Sequence, residues 1–464
     1  MQLIIAFILI IFLLSVKGQI PQLPNYSCNE NDVSIQLTLS SLSHSAWNSI
    51  SNCSLQQCNV NSNNNSCFSS STHCFDYRSI NNTRYCAPAI SCSILERCDN
   101  ITQTCSTNNS ICVINSCCSS QAVCLPLVTT TMCEKGWLYT NNMTNARTQH
   151  KASVLPNGRI LITGGYTGNN VALNTAELYD LPTGTWITTG RLADARWIHT
   201  SSVLLDGKIL VAGGFNGNIS LNSAELYDQS TGTWTTTGNM THTRHVHTAC
   251  TLSSGLVLVT GGLDNSGFAL NTAELYNSST GTWTSTGNTI DTRYWHTASA
   301  LSNGKVLVTG GEAGGASNTT ELYDSSTGTW TATGYMITAR YAHTASVLSN
   351  GKVLVTGGFN SIALDSAELY DPSTGTWAAT GNMSDARYLH TASVLLNGKV
   401  LVTGGFNSIA LDSAELYDPS TGTWTHIDSM ANPRFFHTAS VLSNGLILIA
   451  GGDNNNALNS AELY

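Results

Sequence analysis

From about residue 137 to the end, the chain alternates short apolar runs with glycine-rich punctuation. Residues 343–348, His-Thr-Ala-Ser-Val-Leu, read as one strand. Residues 352–356, Lys-Val-Leu-Val-Thr, are rich in β-branched side chains and read as a second strand. Residues 366–370 and 376–380 supply a third and a fourth. The turns between them carry their own chemistry. Asn350-Gly351 predicts a tight hairpin in which both residues take positive φ. In Asp371-Pro-Ser-Thr-Gly375, Pro sets the first turn position and Gly supplies the later positive φ. Gly357-Gly358 closes the second strand, and a longer, variable loop leads to the third.

This four-strand unit recurs. Trp stands at 137, 186, 234, 283, 330, 377 and 424, at intervals of 49, 48, 49, 47, 47 and 47. His stands at 150, 199, 247, 296, 343, 390 and 437 with the same intervals. A Gly pair begins at 164, 213, 261, 310, 357, 404 and 451, and Glu-Leu-Tyr at 177, 225, 274, 321, 368, 415 and 462. A period near 50 residues marks a repeat architecture in which each unit buries its faces against its neighbours. Residues 350–377 and 397–424 are identical, so no function is expected to rest on a unique residue there.

A four-stranded antiparallel sheet repeated about an axis is a propeller blade. The Gly pair, the aromatic of Glu-Leu-Tyr, the Trp and the Arg near each repeat boundary together resemble the kelch repeat family, in register seven times over about the last 330 residues. The resemblance implies an all-β chain with a seven-bladed propeller over residues 134–464. The repeats open at Gly136-Trp137, which matches a fourth strand, and stop at Glu-Leu-Tyr464, which is a third. Pairing these two segments closes the ring and hides two sheet edges. Trp137 is therefore expected beside the strand that ends at Tyr464.

The first 133 residues differ in kind. The apolar run 3–16, ending at Ser15-Val16-Lys17-Gly18, has 14 residues. That is too short for a hydrocarbon core needing about 20 residues. Residues 1–18 are expected to be a signal peptide, which places the mature chain outside the cytosol without a membrane span. Of the 15 cysteines, 14 lie between positions 28 and 133: Cys28, Cys53, Cys58, Cys67, Cys74, Cys86, Cys92, Cys98, Cys105, Cys112, Cys117, Cys118, Cys124 and Cys133. An even, dense set in a secretory context predicts a disulfide-stapled region over residues 19–133, with connectivity open. Paired CxxC knuckles are missing, so zinc is not expected. Cys250, alone in the propeller, reads as a buried free thiol. Twelve Asn-x-Ser/Thr sequons, six of them in the propeller, predict a glycoprotein.

Charge narrows the function. Charged residues make up only 10% of the chain, and the net charge is −9, so no basic face for nucleic acid is expected. The repeated Arg-x-x-His could be a ring of acid/base or metal groups. Seven equivalent copies favour a structural role, because a catalytic centre breaks symmetry. Each repeated Glu is expected to be paired by Arg or backbone groups. The Trp residues are expected between sheets and the Gly pairs at close approaches of backbone.

The variable positions lie elsewhere. They are the interior of Arg-x-x-His and the first loop residue after each Gly pair, on loops that kelch propellers commonly use for binding. Trp197, His245, Tyr294, Trp295, Tyr341, Tyr388, Phe435, Phe436, Tyr166 and Phe215 are therefore the binding-face candidates. The strands also resemble the central propeller of galactose oxidase. That resemblance implies copper held by tyrosines and histidines, a Tyr cross-linked to Cys, and a His from a further C-terminal domain. The chain ends at Tyr464, and its propeller Cys is expected inside a strand, so no catalytic residue, metal or other cofactor is expected. The Asp-Pro-Ser-Thr-Gly-Thr-Trp turn does not match the Asp box of sialidases. The expected function is a secreted binding protein whose propeller recognises an extracellular protein or glycan. The alternatives are a structural component of an extracellular coat and, further off, a divergent copper oxidase. Oligomeric state is not readable from the sequence.

Overall fold

The computed structural model divides into two compact units, residues 1–136 and 137–464. It describes residues 137–464 except 169–170 and 443–444. In the first unit it describes the backbone of several short strands and residues 98–99, 105, 110–113 and 123–126. The expected signal peptide, and every candidate cysteine side chain except Cys98, Cys105, Cys112 and Cys124, lie outside the described residues.

In the first unit, Ser110–Val113 pairs antiparallel with Val123–Pro126, and Cys112 faces Cys124 across the register. Each of these cysteines bonds outward: Cys98 to Cys112, and Cys105 to Cys124. Two crosslinks on one hairpin stabilise it by restricting the unfolded chain. Among the described residues, the one convergence of three metal-ligating side chains, Cys98, Cys105 and Cys124, is consumed by these disulfides.

The second unit is a ring of seven four-stranded antiparallel sheets. Blade 5 shows the pattern, with strands Thr344–Val347, Val353–Thr356, Ala367–Asp371 and Thr376–Ala379 from axis to rim. The second strand is buried along its whole length, as a run without alternation requires when neighbouring blades cover both faces. Val353 and Leu354 are fully buried. Each such side chain stabilises the fold by about 1.5–3 kcal/mol. The rim strand alternates exposed and half-buried positions.

The ring closes as its ends predict. Leu138–Tyr139 forms the outer strand of blade 7, with Leu463 opposite Leu138 and Glu462 opposite Tyr139. Trp137 packs on Tyr464 at 4.9 Å between ring centroids and donates its indole N–H to the Asp428 carbonyl at 2.6 Å.

The Asn-Gly hairpin departs from expectation. Only Gly351 takes positive φ (81°), while Asn350 does not. Gly351 N–H donates to the Leu348 carbonyl, and Lys352 N–H to the Asn350 side chain. The connection is a type I turn followed by one left-handed glycine, so Asn serves as an acceptor rather than as a second left-handed residue. The Asp-Pro-Ser-Thr-Gly turn behaves as read: Gly375 has φ of 70° and its N–H donates to the Asp371 carbonyl at 2.8 Å.

Candidate binding face and central channel

The repeated residues are spent on holding the ring. Every repeated Arg is buried and reaches the repeated Glu of its own blade. Arg147 Nη2 meets Glu177 Oε1 at 2.6 Å, and Arg340 meets Glu368 at 2.7 Å. The same guanidinium donates to the carbonyl of the first glycine of the pair, as Arg340 does to Gly357 at 2.7 Å. The second carboxylate oxygen accepts backbone N–H groups from the segment arriving from the preceding blade, such as Ile337 to Glu368 at 2.7 Å. Burial pushes the Glu177 carboxyl upward. The charge of Arg147 and the N–H groups of Thr144 and Asn145 outweigh it, so the net shift is downward.

The histidines act between blades. His247 Nε2 bonds the Thr200 hydroxyl at 3.0 Å, and His437 bonds Thr391 and Thr403 at 3.0 and 3.1 Å, in each case on the preceding blade. Burial, reinforced by nearby positive charge, holds all seven imidazoles below their ordinary range, His343 at about 3. At the rim, Trp377 donates to the Gly334 carbonyl at 3.0 Å and Tyr370 bonds Thr333 at 2.9 Å, again across a junction. The Gly pairs are close approaches. A Cβ on Gly357 would stand 2.4 Å from the Arg387 carbonyl oxygen of the next blade.

The variable residues gather on the face where the loops after the Gly pairs meet the segments leading into each blade. The first residue inside Arg-x-x-His bridges to the first loop residue: Trp197 to Phe215, Tyr341 to Phe359, Tyr388 to Phe406. Their rings meet from blade to blade. One arc runs Tyr166, Trp197, Phe215, His245 at centroid separations of 4.1, 5.8 and 5.3 Å. A second runs Tyr341, Phe359, Tyr388, Phe406, Phe435 at 5.6, 4.9, 5.7 and 5.0 Å. All are half-buried: each packs on its neighbours and keeps an open edge.

Carboxylates occupy the gaps. Glu312 lies opposite Tyr294, whose hydroxyl is pushed up to about 12 by burial and by the hydrogen bond and charge of Glu312. Asp453 lies opposite Phe435, and burial raises its carboxyl. His245 is tied down through Nδ1 to the Ser220 hydroxyl at 2.8 Å. Phe359 and Phe406, which begin two of the same loops but are not among the ten candidates, complete the second arc, and sequence alone did not point to the exposed Phe268, Ile362 and Ile409 of that loop set. The signal was the loop register that selected Tyr166 and Phe215.

Trp295 and Phe436 lie inward of the belt, which Phe436 touches through Phe435 at 5.4 Å between ring centroids. They occupy the second interior position of Arg-x-x-His, with Gln149, Ile198, Val246, Ala342 and Leu389. All seven have left-handed backbone, φ between 43° and 56°. Each N–H donates to the carbonyl of its counterpart in the preceding blade, at 2.9–3.4 Å, and Gln149 completes the circuit to Phe436. For β-branched Ile198 and Val246 this backbone is strained, and the closed circuit of peptide hydrogen bonds over-determines it. Inside the circuit, Trp295 and Phe436 meet at 5.6 Å although they belong to blades 4 and 7. They stand over a channel cavity of about 240 Å³.

The family model for the KLHDC2/KLHL20/DRC7 Kelch-repeats domain matches residues 105–311 and 246–452. The chain belongs to the kelch-repeat family. No curated protein gives a significant match. Among solved structures, the kelch propeller is similar to a fungal alcohol oxidase of the AA5 family in complex with copper. The TM-score is 0.57 at 21% identity, over 70% of this chain and 75% of that one. At that identity the likeness is one of fold.

Among the described residues of the propeller, no three His, Cys, Asp or Glu ligand atoms converge. The histidines nearest the axis commit Nε2 to threonine hydroxyls. Cys250 lies within Thr248–Thr251, half-buried, with its thiol pushed up to about 11 by burial.

Proposed function

We propose that the protein is a secreted, non-catalytic recognition module that engages an extracellular protein or glycan through the aromatic belt of its kelch propeller. The observation that carries this reading is the belt itself. Nine half-buried rings form two arcs on one face, in loops that differ among most blades, the identical loops of blades 5 and 6 excepted, while the strands between them repeat. Rigid aromatic surface with an open edge binds at low entropic cost, and Glu312 and Asp453 add fixed acceptors. Secretion is supported by the Cys98–Cys112 and Cys105–Cys124 disulfides, which persist in oxidising compartments. Of the propeller sequons, Asn142, Asn218, Asn239 and Asn382 are exposed. The Asn318 amide instead donates to the Met336 carbonyl at 3.1 Å, a bond that a glycan would have to break.

The test is retention of partners from extracellular material by the secreted chain, compared with a Trp197→Ala/Tyr388→Ala/Phe406→Ala variant. Truncating three belt residues should weaken retention at least about 30-fold, since even one hot-spot aromatic among them contributes about 2 kcal/mol. Equal retention by both chains moves recognition off the belt. Retention of nothing by either favours a coat role.

A further inference from the structure

The first residue of the innermost strand is Thr in blades 2 to 7 and Lys151 in blade 1. Where Thr stands, its hydroxyl bonds the next blade's histidine, as Thr200 does to His247. Lys151 cannot do so, and His199 turns to Thr163 instead. The substitution thus gives up a junction bond and puts the ammonium on the channel wall. Lys151 lines the cavity of about 240 Å³ beside Gln149 and Thr438, open toward the channel, where burial lowers its ammonium from the usual lysine range. No carboxylate lines that cavity. Among the described residues, Lys151 makes no ion pair and no side-chain hydrogen bond, whereas Lys305, Lys352 and Lys399 each reach an Asp at 3.1–3.4 Å. The five imidazoles that line the cavity, His150, His296, His343, His390 and His437, are all held below their ordinary range by burial, with the neighbouring Arg of each repeat adding to the effect.

We propose that the axial channel is a binding site for one small oxyanion, carboxylate- or phosphate-sized, held by the ammonium of Lys151 with Gln149 as a neutral donor. A single cation facing an enclosed cavity without a counter-charge attracts an anion more strongly than the same cation on an open surface, because less water screens it. Trp295 and Phe436, meeting over the cavity, limit the size of what enters. The site is independent of what the outer belt recognises.

The probes are inorganic phosphate and acetate, added to the intact chain with ionic strength held constant by sodium chloride. Thermal unfolding and calorimetric titration read the response. One of the two anions should raise the midpoint saturably, by about 2 °C at ten times its dissociation constant. Lys151→Thr restores the residue that the other blades carry, so it is expected to fold, and it should abolish the response. Lys151→Arg should keep it, and Lys305→Thr on the outside should leave it unchanged. A wild-type response that is absent or fails to saturate, or one that Lys151→Thr shares, overturns the proposal.

Discussion

A guanidinium with no access to solvent survives only if a counter-charge meets it, and in this kelch protein that is Glu368 for Arg340. Both are buried, 2.7 Å apart, with the remaining carboxylate valence filled by Ile337 and Thr338 N–H groups. Removing one partner of such a pair costs more than the pair contributes, because the survivor keeps its desolvation penalty. Glu368→Gln is expected to destabilise the propeller by about 3–5 kcal/mol, read as a fall in the urea midpoint without change in slope. The residue types of these networks were legible in the sequence, since Arg, His and Glu recur in register. Their partners were less so. His247 and Thr200 are 47 positions apart, and nothing in a linear repeat says whether a contact lies within a blade or across a junction. Lys151 stands out only when the copies are aligned on their own histidines.

Elements were the most legible level. The four strands of each repeat fall within a residue or two of where alternation and turn residues put them, because each blade solves the same burial problem with the same letters. The miss at Asn350-Gly351 came from a pair that serves two turn types, one needing two left-handed residues and one needing a single glycine. Two glycines of blade 5 separate backbone strain from crowding. Gly351 has positive φ and open space around it, so Gly351→Ala should cost only about 1 kcal/mol. Gly357 has positive φ and the Arg387 carbonyl within 2.4 Å of where a Cβ would sit. Gly357→Ala should cost about 3 kcal/mol or more, since a neighbouring blade must move. Parallel denaturation curves check the pair; equal costs would mean that junction backbone yields easily.

At the scale of the molecule, the copies act together. Seven buried imidazoles have folded-state values well below the unfolded value of 6.5, so the unfolded chain binds more protons than the folded one below that pH. The stability they contribute is complete above pH 6.5 and is lost as pH falls toward about 3, where His343 titrates in the folded state. Each histidine adds up to about 1.4 kcal/mol per pH unit to the slope, so the ring should unfold in acid cooperatively and early. Circular dichroism from pH 7 to 4 checks this. A midpoint insensitive to pH above 5 would mean that the imidazoles protonate in place. Ring closure was legible, because an unpaired third strand at one end and a spare fourth at the other have one economical solution. The aromatic belt was legible in part, because side chains that vary freely carry no period by which to place them.

The circuit of peptide hydrogen bonds at the axis has a consequence for chemistry at that place. A linear ladder leaves donors over at its ends, and such stray N–H groups are what anions usually find on proteins. A circuit has no ends. The N–H groups of Gln149, Ile198, Val246, Trp295, Ala342, Leu389 and Phe436 are all committed to one another, so the main chain there is chemically mute toward a visitor. Whatever discriminates among solutes at the axis is therefore written in side chains, and a single codon change at position 151 rewrites it without disturbing the hoop.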